Sequence, residues 1–285
     1  MPGVEAFFDP VTSTVSYLVW DAATKDAAVI DAVLDFEPAA GKLSTASADR
    51  ILARAEALGL KVVWALETHA HADHLSAADY IRRKSGAKVG IGARISDVQA
   101  RFRPLFGAPE AETGASAFDT LFADGDVVAI GQMKARVMHT PGHTPACVTY
   151  VIGDAAFVGD TLFMPDYGTA RADFPGGDAA TLYRSIRRIL SLPAETRILV
   201  GHDYLPEGRV TPTWETTVAK ERASNIHVND SISEEEFVRM RTARDRTLPP
   251  PRLILPSLQV NIRGGALPKP EDDGRVYLRT PVVAA

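Results

Sequence analysis

The first ninety residues alternate short apolar runs with amphipathic segments. Residues 13–20, 26–33, 61–67 and 87–92 mix β-branched and apolar side chains over the length of a strand, so each predicts a buried β-strand. Residues 47–60 repeat apolar side chains every three to four positions, which predicts a helix with Ser47 as its N-cap. A second helix is expected from about residue 76, between the last two strands.

The second half repeats this mixture with more breaks. Apolar patterning predicts a helix over residues 177–192 capped by Asp178, and the pair Ser233 and Glu236 predicts a capping box on a later helix. Short apolar runs predict five more strands, at residues 126–131, 133–139, 147–153, 155–160 and 196–204. Strands and helices that alternate in this way indicate an α/β or α+β fold.

Two segments lack such patterning. Residues 101–126 are rich in Gly, Pro and Ala and are predicted to form a long irregular excursion. The proline-rich tail from residue 248 is predicted to wrap around the surface. With 285 residues and 46 % apolar side chains, the chain is expected to form one domain over residues 1–285, with a C-terminal extension from about residue 205.

Charge and cysteine content restrict the possible partners. A net charge of −5 without long blocks of one sign argues against nucleic acid or an anionic membrane as the main partner. No apolar run approaches the roughly 18 residues that a membrane span needs. The single cysteine, Cys147, excludes an intrachain disulfide, and the N-terminus lacks a signal-peptide pattern, so we expect a cytoplasmic setting.

The segment LETHAHADH concentrates ligand-type side chains directly after a predicted buried strand. It contains His69, His71, Asp73 and His74, and the first two lie two positions apart, so they point the same way in an extended segment. α/β proteins often place their chemistry at the end of a strand, where neighbouring loops converge. We therefore expect a metal or catalytic site here.

Three later segments place similar side chains at or just after the ends of predicted strands. HTPGHT, FVGDTLF and VGHDY supply His143, Asp160 and His202. Imidazole and carboxylate ligands suit Zn or Fe, and no thiolate competes with them. Five of the seven histidines are the ligand-type residues of these four motifs, a concentration that unrelated packing histidines would not produce. The other two are His139, expected beside the ligands, and His227, expected in solvent. These patterns leave open whether one metal ion binds or two.

Taken together, THAHADH, HTPGHT, GDTLF and GHDY resemble the signatures of the metallo-β-lactamase superfamily. The resemblance implies a four-layer αβ/βα sandwich with its site at one edge, between the sheets. Within the superfamily, the chain resembles the persulfide dioxygenases nearly end to end, including ARADF, GHDY and LPSLQVNIR. Ala170 departs from some relatives, which have Gly there, and the insertion around residues 101–120 fits a bacterial subtype.

That resemblance implies one Fe(II) per chain, held by His69, His143 and Asp160, with open positions for substrate and O₂. The implied reaction converts glutathione persulfide, O₂ and water into sulfite and glutathione. Four other residues would orient these ligands or, as in the hydrolase branches, complete a site for two Zn or mixed metals: His71, Asp73, His74 and His202.

Glutathione carries two carboxylates, so its pocket is expected to have cationic and amide groups. Arg171 and Tyr204 are also expected to act at the reacting centre, and Asp173 is expected to hold either Arg171 or a ligand loop. Cys147 is interpreted either as a small buried residue or as a thiol that modulates activity. The expected substrate-binding residues are Arg171, Tyr204, Asn225 and Arg263.

Two other functions remain open at this stage. One is a dinuclear thioester hydrolase like glyoxalase II, which has the same four motifs. The other is a metal-binding or sensing protein without turnover. The resemblance also implies a homo-oligomer, either a dimer or a tetramer.

Overall fold

The structure is a computed structural model that describes residues 1–282. Its helices, in chain order, are α1 (Ala46–Ala57), α2 (Ala78–Ser85), α3 (Ile95–Phe106), α4 (Glu110–Thr113), α5 (Ala179–Ile189), α6 (Val218–Ser224), α7 (Glu234–Asp245) and α8 (Ile254–Asn261). Its strands are β1 (Gly3–Asp9), β2 (Thr14–Trp20), β3 (Asp26–Ile30), β4 (Val33–Glu37), β5 (Lys42–Ser44), β6 (Lys61–Leu66), β7 (Leu75–Ser76), β8 (Lys88–Gly92), β9 (Thr120–Phe122), β10 (Val127–Ile130), β11 (Met133–His139), β12 (Val148–Ile152), β13 (Ala155–Gly159), β14 (Arg197–Val200) and β15 (Glu215–Thr217).

Two six-stranded sheets form the centre of the molecule. The first has the order β1-β2-β3-β6-β8-β9, antiparallel from β1 to β3 and parallel from β3 to β9. The second has the order β10-β11-β12-β13-β14-β15 and is antiparallel except for the β13–β14 pair. A small third sheet, β5-β4-β7, lies beside the metal-ligand segment, because β7 directly follows that segment.

Alternating side chains bury both faces of the central strands. Val15 and Tyr17 of β2 point into the layer between the sheets, whereas Leu18 points to the outer layer packed by α1, α2, α3 and α8. In β13, Phe157 points between the sheets and Val158 points to the other outer layer, which α5, α6 and α7 cover. The predicted α/β (α+β) class and the four-layer αβ/βα sandwich are therefore confirmed.

The predicted excursion over residues 101–126 is wrong in part. Helix α3 continues to Phe106 because Val98, Phe102 and Phe106 form a buried stripe at helical spacing, and Pro104 lies in its last turn. Further along, β9 pairs with β8 as the edge strand of the first sheet.

The proline-rich tail does not simply wrap around the surface. It contains α8, whose Leu258, together with Val260 and Ile262 near its end, is buried in the outer layer of the first sheet. The prediction of a single domain with a C-terminal extension stays a prediction, and residues 283–285 lie outside the described range. Among residues 1–282, no helix has both the length and the apolar character needed to span a bilayer.

The cap predictions have mixed outcomes. Asp178 accepts a hydrogen bond from the Thr181 amide at 2.7 Å, and Ser233 forms the predicted capping box, so both are confirmed. Ser47 is not the N-cap of α1, because the helix already begins at Ala46. The Ser47 hydroxyl instead donates to Asp35 at 2.7 Å, which ties α1 to β4.

Candidate metal centre

The seven ligand-type residues of the four motifs converge at one edge of the sandwich. His69, His71, Asp73 and His74 follow β6, His143 lies in the loop between β11 and β12, Asp160 follows β13, and His202 follows β14. All are buried except Asp73, which is partly exposed. The strand ends of both sheets thus bring together side chains that are up to 133 residues apart, since the span runs from position 69 to position 202.

Asp160 lies between two groups of ligand-type atoms. Its Oδ2 atom is 3.9 Å from Nε2 of His69 and 3.8 Å from Nε2 of His143. Its Oδ1 atom is 3.3 Å from Nε2 of His202, which is also 3.3 Å from Oδ2 of Asp73. The first group is His69, His143 and Asp160, and the second is His71, Asp73, His74 and His202.

Main-chain carbonyls fix the tautomers of two histidines. Nδ1 of His143 donates to the carbonyl oxygen of Arg171 at 2.8 Å, and Nδ1 of His74 donates to that of Leu75 at 3.0 Å. A neutral imidazole has one donor and one acceptor nitrogen. Nε2 of both rings is therefore the acceptor, which is the atom that a metal ion requires.

The Thr68 hydroxyl fixes the tautomer of His69 in the same way. The Thr68 hydroxyl donates to Oδ2 of Asp31 at 2.7 Å, so it accepts from Nδ1 of His69 at 3.0 Å. Asp31 also accepts from the Thr68 amide at 2.7 Å, and its backbone has a φ of 52°. The predicted strand over residues 26–33 ends at Ile30 because Asp31 turns toward these ligand-type histidines.

His71 faces two carboxylates. Its Nε2 atom is 3.0 Å from Oδ1 of Asp31 and 3.4 Å from Oε2 of Glu67, and Glu67 also accepts from the Ser76 hydroxyl at 2.8 Å. Burial alone would lower the pKa of His71, but these carboxylates raise it well above the ordinary value. Sequence reasoning missed both acids, although Asp31 ends an apolar run and Glu67 precedes the histidine motif.

The site fits a bound cation. Buried polar atoms are costly to leave unpaired. Among the described residues, the buried polar atoms without a hydrogen-bond partner include His69 Nε2, Asp73 Oδ2, His74 Nε2, Asp160 Oδ1 and His202 Nε2. Burial and the neighbouring histidines lower the pKa of His69 well below its usual value and that of His74 to about 4, so both rings stay neutral. Imidazole and carboxylate atoms in this arrangement suit Fe or Zn.

A cavity of about 340 Å³ opens over His143 and Asp160. Phe163, Tyr167 and Tyr204 form an aromatic wall, and Tyr204 stacks on His202 with 5.2 Å between the ring centroids. Although Tyr204 is 36 % exposed, desolvation of its phenol by the surrounding groups and the nearby Asp73 and Asp160 carboxylates raise its pKa well above the usual value, so it stays protonated. Four arginines also line the cavity: Arg171, Arg241, Arg244 and Arg252.

Arg171 lines the cavity, and internal partners hold its guanidinium. It donates to both carboxylate oxygens of Asp173, at 2.5 and 2.7 Å, and to the Pro249 carbonyl at 2.7 Å. Since its own carbonyl accepts from His143, Arg171 links the cavity wall to a metal-ligand candidate. Asp173 holds Arg171, as the sequence suggested.

Two predicted substrate-binding residues do not reach the cavity. Asn225 is fully buried, and its side-chain amide donates to the Gly168 carbonyl and to the Glu221 carboxyl group. These bonds fix the turn after α6. Arg263 lies at the end of α8, where it pairs with Glu112 at 3.3 Å. Both side chains have internal partners, so neither is proposed to bind substrate.

The two remaining histidines and the cysteine support the loops. His227 is buried, so its predicted solvent exposure is wrong; its Nδ1 accepts from the Thr169 amide at 3.1 Å. His139 donates from Nε2 to the Pro145 carbonyl at 2.9 Å, which braces the loop that contains His143. Burial raises the pKa of Cys147 to about 12, so its thiol stays protonated at neutral pH.

Arg241, Arg244 and Arg252 were not anticipated from the sequence. Arg241 and Arg244 lie three positions apart on α7, so one face of this helix presents both to the cavity. Arg241 pairs with Asp245 at 2.5 Å. Within residues 1–282, no carboxylate lies within ion-pair distance of Arg244 or Arg252. The spacing of the arginines was visible in the sequence, but their side of the helix was not.

The fold and the site together define an αβ/βα-sandwich metalloprotein with up to two adjacent ligand groups. A family model described as the metallo-beta-lactamase superfamily matches residues 9–202, and the chain belongs to this superfamily. A probable metallo-hydrolase of Burkholderia pseudomallei is 54 % identical, with 99 % of each chain covered. The mitochondrial persulfide dioxygenase ETHE1 of Homo sapiens is 32 % identical, with 90 % of this chain and 87 % of that protein covered.

Among solved structures, the crystal structure of ETHE1 from Myxococcus xanthus superimposes with a TM-score of 0.75. It is 32 % identical, with 93 % of this chain and 100 % of that chain covered. The chain spans 65 % of the length of other relatives, which are named beta-lactamase hydrolase-like proteins. The similarity therefore includes both dioxygenases and proteins with hydrolase names.

Proposed function

We propose that the protein is a non-haem Fe(II) persulfide dioxygenase that oxidises glutathione persulfide with O₂ and water to sulfite and glutathione. The observation that supports this most is the group His69, His143 and Asp160, a two-histidine, one-carboxylate set of ligand-type atoms. His143 and Asp160 also face the cavity. The similarity to persulfide dioxygenases over most of the chain agrees with this proposal.

One Fe(II) per chain would supply a redox-active Lewis acid with open positions for the persulfide sulfur and O₂. The protein's own residues would present neutral imidazole nitrogens there, because the Arg171 carbonyl and the Thr68 hydroxyl fix the tautomers of His143 and His69. Tyr204, stacked on His202, stays protonated and could donate a hydrogen bond at the reacting centre.

The cavity suits an anionic thiol substrate. Arg171 and Arg241 are paired with Asp173 and Asp245, so their charges are largely compensated. Arg244 and Arg252 have no such partner among residues 1–282, which leaves them for the two carboxylates of glutathione. We propose that these two arginines bind the peptide part of the substrate while its sulfur points toward Asp160.

A dinuclear thioester hydrolase is the second candidate. The observation in its favour is the second ligand group, His71, Asp73, His74 and His202, beside the first. The metallo-hydrolase name of a 54 % identical relative also fits it. Because the two functions use the same residues, metal content and reaction must distinguish them.

The test is an activity assay on protein reconstituted anaerobically with Fe²⁺. We expect O₂ uptake and sulfite release with glutathione persulfide, about one iron per chain, and no hydrolysis of S-lactoylglutathione. Protein reconstituted with Zn²⁺ is the control and should not consume O₂. If a two-metal form hydrolyses S-lactoylglutathione and the iron form takes up no O₂, the dioxygenase proposal is wrong and the protein is a thioester hydrolase. Metal binding with neither activity would favour a sensing protein.

Two substitutions test the single-iron assignment. Asp160→Ala should abolish iron binding, because it removes the only carboxylate of the first group. His74→Ala should lower activity but retain most of the iron, because this ring belongs to the second group. Iron per chain, measured by mass spectrometry on the folded variants, checks both. If His74→Ala loses iron as completely as Asp160→Ala, the single-iron assignment is wrong.

The setting of the reaction is also a proposal. We propose a cytoplasmic homo-oligomer, either a dimer or a tetramer, in agreement with the similarity to the persulfide dioxygenases. Light scattering coupled to size-exclusion chromatography measures the assembly, and a monomer at micromolar concentration would contradict it. Cell fractionation checks the location, and recovery outside the cytoplasm would contradict that part.

A further inference from the structure

Helix α8 places one side chain against the segment that contains the metal-ligand motif. We call residues 67–76 the metal loop. Asn261, at the end of α8, is 3 % exposed, and its amide nitrogen donates to the carbonyls of His71 and His74, both at 2.8 Å. Its amide oxygen accepts from the Ser76 amide at 2.8 Å. One side chain therefore satisfies three main-chain groups of the metal loop.

The metal loop needs such an external support. Between His69 and His74 the chain forms neither helix nor strand, so regular main-chain pairing does not fix its course. The two carbonyls that Asn261 binds belong to ligand-type histidines on either side of Asp73. Their peptide orientations determine where the imidazole rings point, and buried carbonyls keep those orientations only while they are paired.

We propose that Asn261 is a positioning residue for the metal centre, so that the metal affinity of the site depends on the C-terminal helix. It does not contact the metal position itself. It holds the main chain of the metal loop at His71, His74 and Ser76, and the same loop carries His69 of the first ligand group. Losing this support should displace His69 as well, which removal of the His74 ring alone would not do. Loss of hydrogen-bonding partners behind metal ligands typically weakens metal binding about 10- to 100-fold. The same coupling is reciprocal, so metal binding should in turn stabilise α8.

Gln259 provides a matched control on the same helix. It is also buried, at 2 % exposed, and its amide donates to the carbonyls of Leu255 and Arg279 and accepts from the Arg279 amide. Its bonds have the same chemistry as those of Asn261, but they hold the C-terminal segment rather than the metal loop. Gln259→Ala therefore reports what the loss of a buried amide on α8 does in general.

The test titrates metal-free protein with Fe²⁺ under anaerobic conditions and compares four proteins: wild type, Asn261→Ala, Asn261→Asp and Gln259→Ala. Asn261→Asp has nearly the same shape and keeps the bond from Ser76 but loses both donors. We expect the dissociation constant for Fe²⁺ to rise about 10- to 100-fold in both Asn261 variants. Gln259→Ala should lower the melting temperature and leave this constant unchanged.

Hydrogen exchange gives a second readout, which starts from the wild-type protein. In wild type, Fe²⁺ should slow the exchange of the α8 amides, and this protection should be lost in Asn261→Asp but kept in Gln259→Ala. An unchanged Fe²⁺ dissociation constant in folded Asn261→Asp would overturn the proposal. Equal weakening in Gln259→Ala, or no Fe²⁺ effect on α8 in wild type, would also overturn it. These measurements are independent of turnover, so they remain valid if the proposed reaction is wrong.

Discussion

At the residue scale, Glu221 is a carboxyl group buried without a cationic partner among the described residues. It is 0 % exposed, and Asn225 donates to it at 2.7 Å. Burial raises its pKa to about 8, from 4.5. The folded protein therefore binds this proton more tightly than the unfolded chain. The stability it contributes is fully present below about pH 4.5 and is lost as the pH rises through about 8.

We predict that Glu221→Gln removes this pH dependence. In wild type the free energy of unfolding should fall by about 2 kcal/mol or more between pH 5 and pH 8.5 because of this group, since one pKa unit corresponds to about 1.4 kcal/mol. Urea unfolding at both pH values measures it. Glu195→Gln, an exposed carboxylate, is the control and should behave like wild type. If the two variants have the same pH dependence, Glu221 is ionised in the folded protein.

Some individual residues of the site could be predicted from the sequence, and others could not. The ligand-type residues could be recognised because their motifs state both residue type and spacing. Asp31 and Glu67 could not, since their role appears only when β3 and β6 bring them to His71. A single acidic residue in an apolar run has no spacing to interpret. Asn261 was still harder to assign, because it lies 187 residues from His74.

At the scale of elements, the loop that contains His143 depends on close packing against α5. Gly142 has a φ of 134°, and a Cβ atom built on it would lie 2.3 Å from the main chain of Leu182. The Gly142 carbonyl also accepts from the Asp178 amide at 2.9 Å, so the start of α5 binds the loop directly. The glycine of HTPGHT is thus required by both conformation and space.

We predict that Gly142→Ala lowers the free energy of unfolding by more than about 2 kcal/mol, because backbone strain and steric overlap add. Iron binding should also weaken, since α5 and the His143 loop must separate. Chemical unfolding and Fe²⁺ titration measure the two effects. Gly125→Ala is the control: its φ is 85°, but nothing lies within 4 Å of the added Cβ, so only about 1 kcal/mol is expected. Equal losses would show that packing on α5 is unimportant.

Helices were predicted well where their patterns were amphipathic, as in α1 and α5. Helix α8 was missed because three prolines precede it and because it is apolar on most sides, which removes the periodic signal. Pro256 lies in its first turn, where proline is tolerated. Only burial against the first sheet and the metal loop makes this segment helical, and such contacts are not visible in the local sequence.

At the scale of the whole molecule, the sandwich follows from strand patterning and from the superfamily motifs, whereas the cavity does not. Its floor comes from the predicted motifs, but Arg244 belongs to α7 and Arg252 to the segment after it. Elements beyond residue 205 thus complete a site whose candidate metal ligands end at His202. Arg244 and Arg252 form a locally cationic rim of the cavity, which the net charge of −5 does not predict.

The last prediction concerns this cationic rim. If Arg244 and Arg252 bind the carboxylates of the substrate, replacing either by Ala should raise KM for glutathione persulfide about tenfold and change kcat little. Since the rim is exposed, kcat/KM of wild type should fall with ionic strength, and this dependence should weaken in the double variant. Steady-state O₂ uptake at several salt concentrations measures both quantities.

The matched control is Arg246→Ala, because Arg246 is exposed on the same segment but does not line the cavity. It should leave KM and its salt dependence as in wild type. An equal rise in KM for all three arginine variants would indicate a general loss of positive charge rather than a carboxylate site. Unchanged KM in the Arg244 and Arg252 variants would place the peptide part of the substrate elsewhere, even if the iron chemistry is as proposed.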